Sequence, residues 1–225
     1  MAGDVLYIGI DLGTFRSVMV SSDSHEEEEL TVIGTPKDPI AKNFLKRDVL
    51  FGEEALKNRL ALNLFRPLEH GVIKDTAEDR DFIAHFITHL ISLSDPEDYD
   101  RVVAVIGAPA EASYVDKTAI FDAAAGTVNA AMIISEPFAV AYALDMIEHT
   151  LVIDIGAGTT DLCRVYGTIP SQKTKCIQNS QAITSTEKSS KKSNQNTVAH
   201  KLPKTWRADG KNNIPLSALR LQIRQ

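Results

Sequence analysis

The chain has 225 residues, 44% of them hydrophobic, which suffices for one sizeable core or two small ones. Its net charge of −6 is unevenly spread: residues 171–225 carry eight Lys and three Arg against Glu187 and Asp209, leaving −15 on residues 1–170. An acidic body excludes a phosphate-neutralising nucleic-acid surface there, and no stretch approaches the about eighteen uncharged residues of a membrane span, so a cytoplasmic protein without a transmembrane segment is expected.

The first elements read as a hairpin. Residues 5–10 are an apolar, β-branched run ending at Asp11, and residues 17–21 resume an extended pattern after a Gly-Thr turn. The acidic run 26–29 follows and is expected to be a solvated loop or hairpin tip. Residues 32–75 are broken by Pro36, Pro39 and Pro67, with a helix expected over 52–62, the pattern of a small inserted subdomain.

A long amphipathic helix is predicted over 76–93. Phe82, Ile83, Phe86, Ile87, Leu90 and Ile91 recur at helical spacing behind Thr76, a candidate N-cap. His85 and His89 are one turn apart on it, but without a third ligand they read as structural rather than metal-binding. A strand over 101–106, an Ala-rich helix over 111–125, a strand over 131–135, a helix from Glu136 to Met146 and a strand over 151–155 complete the order. Strands alternating with helices after a hairpin imply an α/β fold with a mixed sheet flanked by helices.

Beyond Pro170 the composition turns to Ser, Thr, Asn, Gln and Lys without periodicity, so residues 171–225 are expected to be a disordered basic tail. Cys163 and Cys176 lack partners at zinc-ligand spacing and are expected to be reduced thiols.

The chemistry concentrates in an internal echo. Asp11-Leu12-Gly13-Thr14 recurs as Asp154-Ile155-Gly156-Ala157-Gly158-Thr159-Thr160, each copy at the end of an apolar strand. Glycine turns let backbone N–H groups close on an anion, and the Thr hydroxyls add neutral donors, so Gly13, Thr14, Gly156, Ala157, Gly158, Thr159 and Thr160 are candidate phosphate ligands. Carboxylates repel phosphate, which gives Asp11 and Asp154 a metal-binding role toward a hydrated Mg²⁺. Neither copy is a Walker loop or a Rossmann fingerprint, because no Gly-Lys-Ser/Thr ends the turn and a strand rather than a helix follows.

These two motifs, with Ile-Ser-Glu-Pro-Phe-Ala-Val-Ala-Tyr between them, resemble the first phosphate, second phosphate and first connecting motifs of the actin, MreB and DnaK superfamily. Residues 34–38, 66–72 and 167–170 are most similar to its magnetosome branch, the MamK group, and the likeness spans residues 5–170. The resemblance implies an actin-like (ribonuclease H-like) ATPase domain, with the second domain's first hairpin beginning near residue 150. It also implies ATP with Mg²⁺, self-association into cytoskeletal filaments, and magnetosome-associated partners alongside magnetosome membranes. By the same resemblance Asp154 and Glu136 are catalytic, Glu136 orienting the attacking water. Phe15 and Arg16 stand where the superfamily carries small and polar residues, and Arg16 either approaches phosphate or faces solvent.

No counterpart of the adenosine-binding glycine motif occurs in residues 171–225, so a truncated form is expected. Two readings of the tail stand: an out-of-frame translation, which is favoured, or a basic arm for anionic lipid or nucleic acid. Beside the filament ATPase stands a second functional reading, a non-hydrolysing fragment that caps or regulates filaments of a full-length relative. Sugar-kinase and chaperone relatives share the phosphate motifs, but no sugar site or chaperone substrate domain is visible.

Overall fold

A computed structural model describes residues 4–69, 72–73, 77–109, 112–155, 160–165, 176–179 and 196–201. The chain divides into two compact units, Met1–Ala108 with Ala112–Ile134, and Pro109–Glu111 with Ser135–Gln225.

In the first unit β1 (Val5–Asp11) forms an antiparallel hairpin with β2 (Arg16–Ser21), as the sequence predicts. The next strand, β3 (Glu26–Leu30), corrects the expectation of a loop. It pairs antiparallel with β2, Arg16 opposite Leu30 and Val20 opposite Glu26. An outer strand needs backbone pairing on one side only and leaves its charged side chains in water, so four glutamates do not prevent it.

The inserted part is a small sheet with its own core. It contains β4 (Ile33–Pro36), α1 (Pro39–Leu45), β5 (Leu50–Phe51), α2 (Gly52–Lys57) and β6 (Leu62–Phe65), with strand order β5-β4-β6. Leu30, Val32, Leu50, Ala55 and Leu62 fill it. Asp38 caps α1 by accepting the Ala41 amide at 2.7 Å, and Pro39 supplies a first residue with no N–H to satisfy. The helix expected over 52–62 stops at Lys57, because Leu62–Phe65 is committed to the ladder with β4, Ile33 facing Phe65.

After β7 (Leu68–Glu69) and β8 (Val72–Ile73), helix α3 (Ala77–Ser92) buries Ile83, Phe86, Ile87, Leu90 and Ile91 in the main core. The proposed N-cap Thr76 lies outside the described residues. Strand β9 (Arg101–Ala108) runs parallel to β1 and buries Val102, Ala104 and Ile106, as β1 buries Leu6, Ile8 and Ile10. Burial at every second residue is the signature of a strand with one face on the core. Helix α4 (Tyr114–Ala125) starts three residues later than its composition suggests, at a reciprocal cap between Ser113 and Asp116. With β10 (Ala130–Ser135) the main sheet has the order β10-β9-β1-β2-β3 and is mixed.

The second unit opens with α5 (Glu136–Ala143), followed by β11 (Thr150–Ile155), β12 (Thr160–Val165), β13 (Cys176–Asn179) and β14 (Asn196–Lys201), in the order β13-β12-β11-β14. Ala141, Val152 and Val165 form its core with Phe138, Val140 and Met146. Of the tail expected to lack order, 176–179 and 196–201 are strands and the remainder lies outside the described residues. The expectation of free thiols fails at Cys163, which is buried and disulfide-bonded, and whose register partner across β12 and β13 is Cys176.

Candidate functional site

Asp11 ends β1, and Leu12, Gly13, Thr14 and Phe15 make the turn into Arg16, the first residue of β2. The turn is anchored from below by Thr31, which follows β3. Thr31 Oγ1 donates to the Gly13 carbonyl at 2.7 Å, and the Thr31 backbone N–H donates to the Phe15 carbonyl at 2.9 Å. Thr31 spends its only hydroxyl proton on Gly13, so the 2.9 Å contact between Ser17 Oγ and Thr31 Oγ1 has Ser17 as donor. Ser17 and Thr31 are both fully buried. Two carbonyls of the turn are thereby satisfied from the protein side, which fixes its shape before any ligand arrives.

Phe15 and Arg16 form the rim of this turn. The Arg16 guanidinium lies 5.9 Å from the centre of the Phe15 ring and pairs through Nη1 with Glu28 at 2.8 Å. Its Nε is buried and makes no hydrogen bond. A second guanidinium, that of Arg66, lies 5.4 Å from the same ring.

The second unit repeats the hairpin. Asp11 faces Val18 and Asp154 faces Asp161 across their ladders, the partner standing seven residues on in both cases. Gly156, Ala157, Gly158 and Thr159, which make the second turn, lie outside the described residues. Thr160 begins β12 opposite Ile155. Glu136 is the first residue of α5, where the helix dipole favours an acid. Asp11, Gly13, Thr14, Phe15 and Arg16 thus belong to one unit, and Glu136, Asp154 and Thr160 to the other.

Among the described residues no three His, Cys, Asp or Glu side chains gather as a metal site. A Mg²⁺ held by one carboxylate, phosphate oxygens and water needs no such cluster, and Asp11 offers the hard oxygen donors it requires, beside a turn of fixed shape.

The two histidines of α3 have structural partners. His85 Nδ1 is 2.8 Å from the Asp81 carbonyl, and His89 stacks on Phe51 at 4.1 Å with its Nε2 3.6 Å from Glu29 Oε2. Glu29 Oε1 accepts the Glu53 and Leu30 amides, each at 3.2 Å. His89 above all, and then these amides, hold the Glu29 carboxyl below the ordinary glutamate pKa against the opposing effect of its partial burial.

Sequence reasoning missed Thr31, Ser17 and Arg66. They stand apart from the motif, lack periodicity, and are joined to it only by β-ladder register and side-chain reach. No described helix is long and apolar enough to cross a membrane.

The family model for MreB/Mbl protein matches residues 6–175. The actin-like protein MamK of Paramagnetospirillum magneticum is 39% identical over 166 residues, covering 73% of this chain and 48% of that protein. The chain spans about half the length of the curated relatives it matches. Among solved structures, a MamK double helical filament superposes with a TM-score of 0.73 at 36% identity, over 80% of this chain and 55% of that one. A non-polymerising MamK mutant bound to AMPPNP gives the same TM-score and identity, over 80% and 56%. The fold is therefore actin-like, with a mixed sheet flanked by helices.

Proposed function

This chain belongs to the MreB/Mbl family, and from that membership we propose that its two Asp–Gly hairpins hold the phosphates of ATP with an accompanying Mg²⁺. It is an actin-like cytoskeletal protein of the MamK and MreB type. The observation that carries the nucleotide reading is the shared seven-residue register of the hairpins at Asp11 and Asp154. A matched pair of strand-end carboxylates beside glycine turns suits a polyphosphate and its cation better than it suits two unrelated bends.

In this reading Gly13, Thr14, Gly156, Ala157, Gly158, Thr159 and Thr160 cradle the phosphates, and Phe15 and Arg16 border them. Asp11 and Asp154 would hold Mg²⁺, which would supply charge neutralisation to the phosphates. The same two carboxylates would orient that cation and its water, and Glu136 would orient the water that attacks. Catalysis then rests on positioning and charge compensation rather than on a covalent intermediate. Self-association into filaments in the cytoplasm, along magnetosome chains, follows from the MamK relatives and is part of the proposal.

The test uses the purified 225-residue chain. AMPPNP binding that needs Mg²⁺ and disappears with EDTA, together with ATP-dependent sedimentation and phosphate release, is the expected result. A chain that neither binds AMPPNP nor sediments with ATP refutes the proposal.

A further inference from the structure

Arg66 stands between β6 and β7, in the connection from the inserted sheet to the rest of the first unit. Its neighbours hold it in place: Phe65 stacks on Phe82 of α3 at 4.4 Å, and Pro67 is buried. The Arg66 side chain is exposed, and no described carboxylate lies within ion-pair distance of it. Among the described residues its close partner is the ring of Phe15, the residue directly after Thr14. An aromatic face orients a guanidinium without neutralising its charge, whereas a carboxylate would cancel it. On a body of strongly negative charge, an oriented cation that no described carboxylate neutralises, beside a glycine turn, is arranged for an anion. Arg16, near the same ring, differs in being pinned to Glu28, and its buried Nε remains without a hydrogen bond.

We propose that Arg66 is a phosphate-binding residue of the first turn, delivered by the inserted subdomain and held over Phe15, and that it favours a triphosphate over a diphosphate. The proposal rests on the nucleotide reading above and deepens it. A longer, more highly charged polyphosphate reaches further from the Asp11–Thr14 turn toward its rim, where the extra cation stands. Because Arg66 belongs to the inserted sheet's connection, an anion bound there also ties that subdomain to the first hairpin.

Inorganic tripolyphosphate and pyrophosphate serve as probes, since neither needs a base-binding surface. Calorimetric titration of the full chain with Mg²⁺ should show Arg66→Ala weakening tripolyphosphate binding by about tenfold or more, the scale of one lost charge-assisted hydrogen bond, with pyrophosphate changed less than about twofold. Arg66→Lys should recover part of the loss. Arg47→Ala removes an equally positive charge, one paired with Glu54 elsewhere in the same subdomain, and should leave both affinities unchanged. Equal effects of Arg66→Ala and Arg47→Ala, or unaltered tripolyphosphate binding by Arg66→Ala, overturn the assignment. If Arg66→Ala leaves AMPPNP and tripolyphosphate binding intact, only the role of Arg66 falls. If the unmodified chain binds neither, the nucleotide reading falls with it. Matching thermal unfolding curves for the variants separate these outcomes from misfolding.

Discussion

The carboxylate of Glu29 occupies the space that a side chain on Gly52 would need. Gly52 has φ of +52° at the start of α2, and its missing Cβ lets Glu29 reach the Glu53 amide. Here the end of the main sheet and the inserted subdomain are locked together, with His89 of α3 as the third member.

Gly52→Ala combines a left-handed backbone with a collision against Glu29. Destabilisation of about 1–3 kcal/mol is expected. Urea denaturation followed by circular dichroism checks it, and an unchanged midpoint would show that Glu29 swings aside at no cost.

The same carboxylate predicts a pH dependence. The folded-state pKa of Glu29 is depressed, chiefly by His89, so its contribution is complete above the ordinary glutamate range and is lost as pH falls through the folded value. Glu29→Gln should flatten that acid limb of stability. Parallel acid limbs in the variant and the parent chain would exclude Glu29 as its source.

Thr31→Val keeps the shape of the side chain but deprives the Gly13 carbonyl of its donor. Leaving that acceptor unsatisfied should cost about 1–3 kcal/mol, divided between stability and AMPPNP affinity. Thr31→Ser retains the hydroxyl and should behave much more like the parent. Equal affinities for all three chains would remove Thr31 from the support of the turn.

Asp11→Asn exchanges the carboxylate proposed to hold Mg²⁺ for a neutral amide of similar size. AMPPNP binding by this variant should lose most of its dependence on Mg²⁺, seen by titration with and without EDTA. A dependence equal to that of the parent chain would show that Asp11 does not hold the cation.

Ser113→Ala tests a helix cap that makes no described hydrogen bond to the Asp11–Thr14 turn. Loss of the reciprocal cap with Asp116 should cost about 0.5–2 kcal/mol of stability, with nucleotide affinity unchanged.

The elements with a strong repeat were legible in the sequence. Strand β1 ending at Asp11, helix α3 and strand β9 each bury residues at a regular interval, and the echo of Asp11 at Asp154 exposed the candidate site. The run of glutamates was not legible as β3, because its pairing depends on β2 rather than on its own residues. The end of α2 was hidden for a similar reason, since β4 claims Leu62–Phe65 for its own ladder. Arg66 is some fifty positions from Phe15, and only the folded path of the inserted subdomain brings them together.

Strand β3 also limits how copies of this chain can meet. It is the last described strand on its side of the main sheet, and Glu26, Glu27 and Glu28 are exposed along it. Two copies joining there edge to edge would set glutamates against glutamates, a repulsion that backbone pairing at neutral pH must overcome. That rim therefore acts as a guard against uncontrolled sheet-to-sheet growth.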